Sequence, residues 1–114
     1  MSQRQLKRSL EYKQKVREYA RNLSSRFRPE IAAVFLRDLG SAQKRIFENN
    51  EVGTLAPYVL LGQKIILREL YFTSGPAKYC VVYDIFDDYV GLVTLWHGMG
   101  SRASEDLIRL WDQC

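Results

Sequence analysis

Three runs decide the fold: residues 64–72 (KIILRELYF), 79–86 (YCVVYDIF) and 89–97 (YVGLVTLWH). Each is dense in β-branched and aromatic residues, as strands are. Ser74-Gly75-Pro76 makes a turn after the first, and Asp87-Asp88 joins the second to the third. So short a connection forces the last two runs into a tight hairpin. The sequence therefore predicts a three-stranded antiparallel sheet over residues 64–97.

Upstream the period changes. Val16, Tyr19, Ala20, Leu23 and Phe27 fall on one face of a helix, and Leu6 and Leu10 extend the pattern backwards. Residues 1–12 read as polar and helical, not as a strand. Pro29 suits the first turn of a second helix, carried to about Asn49 by Ile31, Phe35, Leu39, Ala42 and Ile46. Gly40 weakens that helix by about 1 kcal/mol relative to Ala without ending it. Residues 50–63 contain Gly53, Pro57 and Gly62 and read as a connecting loop. After Gly98, Ser101 or Ser104 can cap a short last helix over 101–113, docked by Leu107, Leu110 and Trp111. The expectation is one α+β domain over 1–114. It has a helical hairpin (1–50) packed on a three-stranded antiparallel sheet (64–97), with a short C-terminal helix.

With 114 residues, 46% of them hydrophobic, the chain has room for one domain with a real core. Cys80 and Cys114 are too few for a disulfide framework and read as free thiols in a reducing compartment. The first ten residues hold no apolar signal segment and no run is long enough to span a bilayer, so the expected location is cytoplasmic. The net charge of +4 is unevenly placed. Residues 1–28 hold nine Lys/Arg against Glu11 and Glu18, a net +7, while the remainder is −3. Such a basic segment is either a footprint for an anionic partner or a solvated helix face.

Little in the chain points to chemistry. One histidine and two scattered cysteines make no metal site, and no nucleophile elbow accompanies His97. No cofactor is implied. Gly98-Met99-Gly100-Ser101-Arg102 is open to two readings, a phosphate-facing loop or a plain strand exit. The more informative set is Arg68, Tyr79, Tyr83 and His97, which a meander brings toward one face. Arg68 lies inside an apolar strand, where an unpaired guanidinium is very costly. It needs a carboxylate, with Glu69, Asp84 and Asp38 in reach, or an open wet face that binds phosphate or an acidic partner. His97 is a candidate either for acid–base work or for a hydrogen bond that locks the exit loop.

The last two strands and their exit, YCVVYDIFDDYVGLVTLWHGMGSR, resemble the C-terminal half of RelE/ParE-superfamily toxins. The elements carrying the likeness are Arg68-Glu69-Leu70, then Tyr83, then Leu95-Trp96-His97-Gly98, then Arg102, across roughly residues 10–105. Members usually begin with a strand that joins the sheet, which this reading of residues 1–12 lacks. The resemblance implies a type II toxin–antitoxin pair, with a cognate antitoxin that wraps the toxin. It implies one of two modes of growth inhibition. A ParE-like toxin binds DNA gyrase, using Arg68, Tyr79, Tyr83, His97 and Arg102 as target-binding residues. A RelE-like toxin is a metal-independent endonuclease that cleaves mRNA on the ribosome, with Arg68, Tyr83 and His97 as its catalytic set. From 64 to 97 the only Lys or Arg residues are Lys64, Arg68 and Lys78, beside Glu69, Asp84, Asp87 and Asp88. That is poor ground for an RNA backbone and favours the binding mode. A non-toxic protein-interaction module on the same fold is the third possibility.

Overall fold

The computed structural model describes residues 4–98 and 107–110. Its elements are β1 (Gln5–Arg8), α1 (Leu10–Arg26), α2 (Pro29–Glu48), β2 (Thr54–Leu60), β3 (Gln63–Ser74), β4 (Ala77–Ile85), β5 (Tyr89–His97) and β6 (Leu107–Arg109). They build an α+β fold whose six strands lie in the order β1-β5-β4-β3-β2-β6. Every neighbouring pair is antiparallel except β1 with β5, which is parallel.

The predicted three-stranded sheet is thus corrected to a six-stranded mixed one, and each added strand has a physical reason. In β1, Leu6 turns into the helix-side core while Lys7 lies 4.4 Å from the Tyr89 ring centre on β5. That alternation spans only four residues, too few to outweigh the helical spacing of Leu6 and Leu10. Leu10 itself is 71% exposed. Ser9 makes the switch from strand to helix. Its N–H donates to Leu92 O and extends the pairing, while its Oγ accepts from Tyr12 N at 3.0 Å as the helix cap.

The predicted loop over 50–63 holds strand β2, with Ala56 and Tyr58 buried on alternate positions. Pro57 lies where β6 ends: β6 pairs with Tyr58, Val59 and Leu60, and the Pro57 carbonyl still accepts from Leu110 N, so the proline lacks only its own N–H. Leu61 and Gly62 both take positive φ, the geometry of a two-residue hairpin turn. The C-terminal helix expected over 101–113 is also corrected: residues 107–109 are strand β6, and Leu107 is buried there. Ser101, Ser104 and Trp111 lie outside the described residues.

The helices cover one face of the sheet. Tyr12, Phe35, Leu39, Ala42 and Ile46 pack on Leu70, Tyr79, Val81, Tyr83, Val90, Leu92 and Leu95. Leu92 and Leu95 are three apart and still share a face, because a bulge separates the Val82↔Thr94 and Tyr83↔Leu92 pairs. The other face has a second cluster of Ala56, Tyr58, Leu67, Cys80, Val82, Trp96 and Leu107. Beside it Glu69, 3% exposed, accepts from Arg109 Nε and Tyr58 OH, both at 2.7 Å, and from Tyr71 OH at 3.1 Å. Trp96 Nε1 donates onward to Tyr58 OH. The Arg109 bridge ties β6 to β3 across β2.

Burial alone would raise the Glu69 carboxyl. Hydrogen bonds from Arg109 and Tyr58, the Arg109 charge and the Tyr71 hydroxyl outweigh it and hold the group below its ordinary 4.5. A lowered carboxylate contributes stability that is complete above the unfolded-state value and lost as pH falls through the folded-state value. Glu69→Gln is therefore expected to flatten the decline in stability below about pH 4.5, followed by urea melts across pH. At neutral pH, Glu69→Ala should cost about 3 kcal/mol, because it strands a half-buried guanidinium.

Candidate functional site

Between the apex of the helical hairpin and the β3–β4 turn lies a cleft of about 530 Å³. Tyr19, Leu23 and Phe27 recur at four-residue spacing along α1 and form one wall, and Ile31 at the start of α2 joins them. Tyr79, on β4, and His97, at the end of β5, form the floor. They are cross-strand partners with ring centres 4.9 Å apart. Tyr79 is buried against Phe35 and Phe72, whereas His97 is exposed. The Tyr19 hydroxyl donates to Leu95 O at 3.3 Å and covers part of the β5 edge beyond β1. Phe27 is 64% and Ile31 38% exposed, so the wall presents large apolar side chains to solvent. Arg26 and Asn22 line the cleft too, and among the described residues no carboxylate does.

Arg68 and Tyr83 stand elsewhere. They are cross-strand partners on β3 and β4, and Tyr83 is four residues along β4 from Tyr79, about 13 Å away. Tyr83, fully buried, donates its hydroxyl to Asn50 O at 2.7 Å and accepts from Gly53 N at 2.8 Å. Arg68 donates to Gly53 O at 2.9 Å and Glu51 O at 3.4 Å. Both side chains staple the α2–β2 connection. A Cβ on Gly53 would stand 2.8 Å from the Tyr83 ring and hydroxyl, so only glycine permits this approach. None of the carboxylates expected for Arg68 meets it: Glu69 binds Arg109, Asp38 pairs with Arg37, and Asp84 accepts from Ile85 N. Arg102 lies outside the described residues.

The expected set therefore divides into two pairs, Tyr79 with His97 in the cleft and Arg68 with Tyr83 at the loop. The structure does not join Arg68, Tyr83 and His97 into one group. Burial raises the hydroxyls of Tyr79 and Tyr83, and burial followed by the Glu18 charge pushes Tyr19 up to about 12. Near neutrality all three are hydrogen-bond donors, not bases. Among the described residues no group of three His, Cys, Asp or Glu is placed to hold a metal. What the cleft can do is bind: it offers exposed apolar anchors, an imidazole and a guanidinium.

Phe27, Ile31 and Arg26 are functional candidates that the sequence reading passed over. Phe27 and Ile31 fit the helical stripes so well that they read as core. The signal was Pro29 between them, because it puts both at the apex of the hairpin, where fewer neighbours cover a side chain.

Comparison with known proteins finds no matching family model, no matching curated protein and no matching solved structure.

The stapling role of Tyr83 is directly measurable. Tyr83→Phe keeps the ring but leaves the buried Gly53 N–H without its acceptor, an expected loss of about 1–3 kcal/mol in a urea unfolding curve. Arg68→Ala should cost less, since its partners are carbonyls nearer to solvent.

Proposed function

We propose that this protein is a cytoplasmic, ParE-like toxin of a type II toxin–antitoxin pair, and that it stops growth by binding DNA gyrase through the Phe27–His97 cleft. The observation carrying the binding mode is the cleft itself: a wall of solvent-facing Phe27 and Ile31 over a floor of Tyr79 and His97. Exposed aromatic and aliphatic side chains around a concavity are the usual anchors of a protein partner. The resemblance is supported by the sheet. Strand β1 joins it beside β5 and supplies the first strand that the sequence reading lacked, while β2 and β6 are strands where that reading has a loop and a short helix. Against the nuclease mode stands the commitment of Arg68 and Tyr83 to loop carbonyls and a loop N–H, away from His97. No helix among the described residues is long and apolar enough to cross a membrane.

Induced expression should arrest growth, relieved by the cognate antitoxin, and purified protein should inhibit gyrase in a supercoiling assay. Phe27→Ala is the sharpest probe. At 64% exposure its loss should leave stability within about 0.5 kcal/mol. Inhibition should nevertheless weaken by about 30-fold, as removal of an interface anchor worth about 2 kcal/mol does. Ribosome-dependent mRNA cleavage abolished by His97→Ala would replace this reading with the nuclease. Undisturbed growth would replace it with an interaction module.

A further inference from the structure

The cations at the other end of α1 have no part in that cleft. We infer that a second cleft, of about 360 Å³ between α1 and α2 beside the end of β1, is an anion site that takes phosphate groups. The phosphates are those of a nucleic-acid strand or of a free polyphosphate.

Three cations converge there. Lys13 and Arg17 are one helical turn apart on α1 and share a face. Arg8 lies two residues beyond Leu6 on β1, so strand alternation puts it on the helix side of the sheet. Its charge reaches the Tyr12 hydroxyl, opposing the upward push of burial there. Among the described residues no Asp or Glu lines the cleft, and no carboxylate forms an ion pair with any of the three. Like charges gathered around one concavity repel, and an oxyanion between them turns that repulsion into attraction.

The opposite wall is shaped to receive one. Tyr12, fully buried, donates its hydroxyl to Gln43 Oε1 at 2.6 Å, which fixes the amide and leaves its nitrogen as the donor end. Gly40 lies one turn before Gln43, and a Cβ there would meet nothing within 4 Å, so the space above α2 is open. Two guanidinium forks, an ammonium and an amide match the repeated oxygens of phosphates. An acidic protein segment would need somewhere to bury an apolar anchor. Leu36 at the rim and the half-buried Val16 are the apolar groups it offers among the described residues, since Tyr12 and Leu39 are already sealed in the core. The site does not depend on the gyrase reading and survives its failure.

The test is fluorescence anisotropy of the full chain with short labelled single-stranded and duplex oligonucleotides, with pyrophosphate and polyglutamate as further probes. Three phosphate contacts predict that affinity falls about 40-fold for duplex between 50 and 200 mM salt, and about 20-fold for single strand. The triple variant Arg8→Gln/Lys13→Gln/Arg17→Gln should lose at least ~10-fold in affinity, while the equal-charge control Arg28→Gln/Arg37→Gln/Lys64→Gln stays within about twofold. Gly40→Leu fills the opening with a residue that favours the helix by up to ~1 kcal/mol, so it should block binding in a protein that melts no lower than the parent. Pyrophosphate binding lost in the same variants, with oligonucleotides unbound, would assign the site to free polyphosphate. The proposal is overturned if the control loses as much as the cleft variant, if Gly40→Leu binds like the parent, or if neither phosphate probe binds. Polyglutamate binding at the cleft in place of phosphate would overturn it in favour of an acidic protein.

Discussion

Strand β4 is buried on both faces, and the rest of the molecule is arranged around that fact. Tyr79 is 3% exposed and Cys80, Val81, Val82 and Tyr83 not at all. Alternation sends Tyr79, Val81 and Tyr83 toward the helices and Cys80 and Val82 the other way. A strand of this kind needs apolar cover twice over. The helical pair supplies it on one side. On the other, Tyr58, Leu67, Trp96 and Leu107 close in, and the Glu69–Arg109 ion pair fastens β6, the strand that carries Leu107. The bulge at Val93 follows from the same demand, because without it Leu92 and Leu95 could not both face α1 and α2.

Covering β4 also determines what stays uncovered. The cleft between the apex of the helical hairpin and the β3–β4 turn leaves Phe27 and Ile31 exposed. The apolar stripe that drives the hairpin onto the sheet thus becomes, at its last turn, a surface for something else. At the opposite end of α1 the core ends at Tyr12, and Arg8, Lys13 and Arg17 surround the gap between the helices. One helix therefore offers an apolar docking wall at one end and a cationic cleft at the other.

The polar residues divide by whether their bonding is complete within the fold. Arg68 and Tyr83 are held by the backbone of residues 50–53, and Glu69 by three side-chain donors. Such groups hold the scaffold still. His97 and Arg26 face the open cleft instead, and Arg8, Lys13 and Arg17 line the other. Function is proposed for the second kind on that ground. Arg68 shows the difference from its sequence reading most plainly. A cation inside an apolar strand demands a partner, and that demand was legible. That the partner would be two carbonyls of a loop reached from another element was not.

The amino-acid sequence by itself determined the helical hairpin, the meander over 64–97, its tight turns and the basic character of the first 28 residues. These are properties of local spacing: a period of 3.6 or of 2 sustained long enough to be unambiguous. Tertiary structure alone decided β1, β2 and β6. Strands of three to seven residues, one containing a proline, carry too little periodicity to outweigh a competing pattern, and they owe their extended form to hydrogen bonds from a neighbour already in place. It alone decided, too, that Glu69 would find Arg109 forty residues away. It also separated Tyr79 and His97 from Arg68 and Tyr83, since position along a strand becomes distance only once the register is fixed.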